Sequence, residues 1–126
     1  MRFNTSLMKS PVRYGLCLSA KDYADTLKRI KPSDLGHKKF IDKDDAASTR
    51  FIRVKGGTGV RVIVCYRPSK KPIEEIHADL VHEAVHVWQY IRDHIGEERA
   101  GDEQEAYSIE RIALRLMVAY KKRVGA

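Results

Sequence analysis

The chain has 126 residues, 43% of them hydrophobic, which suits one domain with a single core. Its 24 basic and 17 acidic residues leave a formal charge of +7, so small clusters such as Lys38-Lys39, Lys70-Lys71 and Lys121-Lys122-Arg123 can attract an acidic partner or nucleic acid. No apolar run approaches the roughly 20 residues of a membrane helix, and neither an RNA-binding aromatic signature nor a zinc-finger spacing is present.

In chain order, Arg2, Lys9 and Arg13 precede the apolar run Tyr14–Leu18, which is too short for the core of a secretory signal. A cytoplasmic location is therefore expected. Cys17 and Cys65 form neither a CxxC pair nor a disulfide framework, and are read as buried thiols in a reducing compartment. Residues Ser19 to Ile30 predict an amphipathic helix, with Tyr23, Leu27 and Ile30 on one face, Ser19 and Asp22 as a capping box, and Lys31-Pro32 as its end. The polar stretch from Pro32 to Thr49 is expected to be loop.

Phe51–Val54 and Val60–Tyr66 are rich in β-branched and aromatic residues and flank Gly56-Gly57-Thr58-Gly59, the pattern of a β-hairpin. The second strand is almost continuously apolar, which predicts a further strand beside it, and the N-terminal segment is available to supply one. After Pro68–Pro72, residues Ile73, Ile76, Leu80, Ala84, Val87, Trp88 and Ile91 keep helical spacing as far as His94, with Gly96 beyond. A last helix starts near Gly101 or Asp102, turns Ala106, Ile109, Ile112, Ala113, Leu116 and Tyr120 inward, and ends on basic residues that suit its dipole.

The chemistry lies in His82-Glu83-Ala84-Val85-His86. On a helix the two histidines are one turn apart and project from one face, where two imidazoles can share a tetrahedral Zn²⁺. Glu83 follows the first histidine and is placed to take a proton from a zinc-coordinated water. Chance alone puts such a pattern in about 1% of shuffled chains of this composition. The uncharged flanks Leu80, Val81, Ala84, Val85, Val87 and Trp88 argue further against a solvated pair of histidines. His37, His77 and His94 are read as surface or supporting residues, and Trp88 and Tyr90 as packing.

Leu80–Trp88, followed by Gly101-Asp-Glu-Gln-Glu-Ala-Tyr107, resembles the gluzincin metallopeptidases, and in particular the small metallopeptidase-like proteins encoded by bacteriophages and prophages. The resemblance covers about residues 51 to 120. It implies an α+β, minimal zincin-like domain over residues 1–126: a zinc-bearing helix, a glutamate-bearing helix after it, an N-terminal helix, and a β-hairpin or small antiparallel sheet. It also implies two histidines and one glutamate on zinc, water as fourth ligand, a peptide or protein substrate, and a hairpin strand that pairs with the substrate backbone. The metzincin pattern does not apply, because Gln89 and Arg92 stand where it needs glycine and histidine.

Two glutamates compete for the third ligand position. The family pattern favours Glu103, with Ala106, Tyr107 and Ile109 at the spacings that follow it, and Glu103 is the residue chosen. A helical wheel leans to Glu105, which falls about 60° from the centre of the apolar face against about 100° for Glu103. A donor to a developing oxyanion can come from Tyr107, His77 or an arginine, and Tyr107, one turn beyond Glu103, leads. The expected function is zinc-dependent peptide hydrolysis. The competing readings are a catalytically idle zinc protein, such as a phage particle component, and a basic protease that works on nucleic-acid-bound proteins.

Overall fold

The structure is a computed structural model that describes residues 12–32, 39–42, 45–54, 59–95 and 102–125. It divides into two compact units, residues 1–68 and 69–126. The first contains β1 (Val12–Cys17), α1 (Ala20–Ile30), β2 (Ala47–Arg53) and β3 (Val60–Tyr66); the second contains α2 (Ile73–Ile95) and α3 (Asp102–Val124). The composition is α+β, as expected.

Helix α1 starts where the sequence signals it. The Ser19 hydroxyl accepts from the Asp22 N–H at 3.1 Å, satisfying one of the donors a helix leaves open at its start. It ends at Lys31, whose left-handed backbone (φ 52°) turns its N–H onto the Leu27 carbonyl. Pro32 then cannot continue the helix.

The hairpin forms, with β2 and β3 antiparallel and Phe51 opposite Val62. Two expectations need correction. Strand β2 begins at Ala47, so residues 47–49 are strand rather than loop. Their polar character misleads because an edge strand needs little apolar surface, and only Ile52 of β2 is buried. The sheet is also not antiparallel: β1 pairs in parallel with β3, Val12 opposite Val60 and Cys17 opposite Cys65, giving the order β1-β3-β2 in a mixed sheet. The neighbour that β3 requires does come from the N-terminal segment. The glycine turn at 55–58 lies outside the described residues.

Because side chains alternate along a strand, each sheet face has its own set. Cys17, Ile52, Ile63 and Cys65 share a cluster with Tyr23 and Ile30 of α1 and with Ile41, against which Leu27 and Phe40 pack. Arg50 holds the segment around Phe40 in place, donating from Nη2 to the Phe40 carbonyl at 3.3 Å while its guanidinium lies 5.9 Å from the centre of the Tyr23 ring. The opposite face presents Tyr14, Leu16, Val60, Val62, Val64 and Tyr66, all buried.

Burial has a titration consequence inside the cluster. Burial first, and then the neighbouring Cys17, push the Cys65 thiol up to about 12. Burial and then Cys65 push the Tyr23 phenol up to about 12, against the opposing pull of Arg50. Both groups keep their protons in the folded chain at pH values where the unfolded chain, at about 8.5 for a thiol and 10 for a phenol, has released them. Their contribution to stability is complete below those values and is lost as pH rises toward 12. The urea midpoint is therefore expected to fall between about pH 9 and 12, and a midpoint that stays level through that range would contradict the burial of these two groups.

In the second unit, Pro72 starts α2 by accepting from the N–H groups of Glu75 and Ile76. Glu74 and Glu75 suit the positive end of the helix dipole, and Lys71 pairs with Asp79. Helix α3 packs on α2 and ends at Gly125, whose positive φ of 73° lets its N–H reach the Lys121 carbonyl at 3.1 Å. No described helix is long and apolar enough to cross a membrane.

Candidate metal centre

Helix α2 buries Ile76, Leu80, Ala84, Val87, Trp88 and Ile91, a spacing of three and four residues that sets the phase of everything else on it. That phase turns His82 outward, its side chain 70% exposed, and leaves His86 half-buried one turn later. Glu83 lies on the inner side, 6% exposed. Not all the flanks are buried: Val81 is exposed, so the motif sits at the border of the packed face rather than deep within it.

The two imidazoles meet edge to face, with ring centres 4.9 Å apart and interplanar angle 76°. Their Nε2 atoms are 3.3 Å apart. Two nitrogens held by one zinc at about 2.0–2.1 Å, at the tetrahedral angle, are separated by about 3.3–3.4 Å. The 3.3 Å between the two Nε2 atoms falls in that range and is also a hydrogen-bond distance. The Glu83 carboxylate is near but not between them, with Oε2 3.9 Å from His82 Nε2. The other side of His86 is also engaged, its Nδ1 lying 3.0 Å from Gln89 Oε1.

The glutamates of α3 have different environments. Glu105 accepts from the Trp88 indole N–H at 2.9 Å and lies 3.6 Å from Arg92 Nη1. Trp88 and Arg92 are about 100–140° around α2 from the mean direction of the two histidines, so Glu105 meets another side of the helix. Glu103 is exposed. Among the described residues, no group of three or more histidines, cysteines or carboxylates stands in metal-holding geometry. The structure therefore brings His82, Glu83 and His86 together, and adds neither glutamate to them.

Tyr107 is 65% exposed and belongs to no core. Trp88 packs as expected, whereas Tyr90, also expected to pack, is at the surface. His77 and His94 are half-buried on α2, and His37 lies outside the described residues. Two sets of partnerships went unread in the sequence: Gln89 with His86, and both Trp88 and Arg92 with Glu105. The first had a signal, since residues three apart on a helix are neighbours. The second depends on which face of α3 meets α2, which no local spacing reveals. No family model matches the chain, and no curated protein or solved structure matches it either.

Proposed function

We propose that this chain is a zinc-dependent peptide hydrolase in which His82 and His86 hold the metal and Glu83 is the general base. The observation that carries this reading is the 3.3 Å separation of the two Nε2 atoms beside a buried carboxylate. Zinc bound there would supply an acidified water and a polarised carbonyl. Glu83 takes the proton of the attacking water and returns it to the leaving amine, so that water adds across the C–N bond and two peptides leave. Glu103 is the proposed third ligand, and Tyr107 the proposed donor to the oxyanion.

The idle-clip alternative is less well supported, because structural zinc sites are closed by four protein ligands and His82 stands open to solvent. Within the first unit, and among the described strands, β3 is hydrogen-bonded on both sides and β2 on one. Basic residues at the end of α3 are the proposed attraction for an acidic partner or nucleic acid. A cytoplasmic place, in the bacterial host or with the virion of a phage, goes with this reading.

The test is zinc stoichiometry on purified protein. One zinc per chain is expected, with loss in His82→Ala and in His86→Ala. Undiminished zinc in either variant would remove the assignment. Glu103→Ala should weaken zinc binding without unfolding the chain, whereas Glu105→Ala should cost about 1–3 kcal/mol of stability by stranding the Trp88 N–H. A severe loss of zinc confined to Glu105→Ala would reverse the choice between them.

A further inference from the structure

We propose that Gln89 is a positioning residue that presets the tautomer of His86, an inference resting on the zinc reading above for its purpose but not for its geometry. A neutral imidazole carries one proton on either ring nitrogen, and only the lone-pair nitrogen can bind a metal. His86 Nδ1 lies 3.0 Å from the carbonyl oxygen of Gln89, an atom that can only accept. With the Gln89 amide in this orientation the bond requires the proton on Nδ1, which leaves the Nε2 lone pair toward the point that His82 also faces.

The arrangement has a second consequence. Two imidazole nitrogens 3.3 Å apart cannot both present protons, nor face each other favourably as two lone pairs. With His86 Nε2 as acceptor, His82 Nε2–H is the donor. The metal-free pair is thus asymmetric: His86 is ready to coordinate, whereas His82 must first move its proton from Nε2 to Nδ1. Its exposure lets water relay that proton from one ring nitrogen to the other. Gln89, three residues after His86, is the partner that biases one half of the pair toward a single tautomer.

Two measurements decide it. Long-range ¹H–¹⁵N correlation spectra of the metal-free protein should show His86 as the Nδ1–H tautomer and His82 predominantly as Nε2–H. In Gln89→Leu, His86 should shift toward Nε2–H, and zinc affinity should fall about 10–100-fold with unchanged circular dichroism. Gln89→Glu, which keeps an accepting oxygen, should retain both the tautomer and wild-type affinity, and it serves if the leucine variant fails to fold. A wild-type His86 found as Nε2–H, or a folded Gln89→Leu with an unchanged tautomer, would overturn the proposal. The tautomer is read without metal, so absence of zinc in the wild-type protein would defeat the hydrolase reading while leaving the role of Gln89 in setting His86 decided by the spectra.

Discussion

Glu83→Gln is expected to lower peptide hydrolysis by about 10²–10⁴-fold, the range for removal of a general base, with zinc content and fold retained. The amide has the size of the carboxylate, so the inner side of α2, where Glu83 is almost fully buried, meets no new volume. It lacks the carboxylate's charge and its capacity to take a proton from water. Neither Nε2 atom belongs to Glu83, so the 3.3 Å pair persists. Turnover of an unfolded protein such as casein, with zinc measured on the same samples, separates the possibilities. Equal turnover in the variant and the wild type would remove Glu83 as base, and a parallel loss of zinc would make its role structural.

The largest stability effect is expected at Trp88. Its side chain is fully buried and heads the large residues of the core, and its indole N–H is bonded to Glu105 at 2.9 Å. Trp88→Ala removes the ring, leaves a cavity and deprives Glu105 of a donor, a loss of about 3–5 kcal/mol. Trp88→Phe keeps most of the ring and loses the N–H. Because Glu105 is part-exposed and keeps Arg92, the expected cost there is about 1 kcal/mol. Urea denaturation followed by circular dichroism measures both, since the alanine variant has no tryptophan to follow. A Trp88→Ala protein within 1 kcal/mol of the wild type, as judged from its urea midpoint and slope, would show that the indole does not hold α2 and α3 together.

The helices were legible because their signals are local. Apolar positions recur at three and four residues from Ile73 to Ile91, and punctuation at Ser19, Pro32 and Pro72 lies within a turn of the helix ends. The motif was legible for the same reason, since a helix brings residues four apart together whatever surrounds it. The parallel pairing of β1 with β3 was not, because Val12 and Val60 are distant in sequence and no turn connects them. Nor was the start of β2, where Ala47, Ser48 and Thr49 carry a strand with little apolar content. The wheel did place Glu105 nearer the packed face than Glu103, in agreement with its bonds to α2. What it could not say is that Trp88 and Arg92, rather than the histidines, would meet Glu105 there.

The order β1-β3-β2 puts the last-synthesised strand in the middle. Among the described strands, β1 and β2 are each bonded to β3 and not to each other, so neither has a strand partner until β3 is available. On the ribosome, α1 can form as soon as it emerges, but the sheet it packs against must wait until residue 66 has cleared the exit tunnel. Unit formation is then governed by the docking of β3 between two strands already made, one parallel and one antiparallel, a non-local step of the kind that slows folding. A break in translation between residues 54 and 59 would release a chain with one helix and two strands that lack β3, the state most open to aggregation and to degradation.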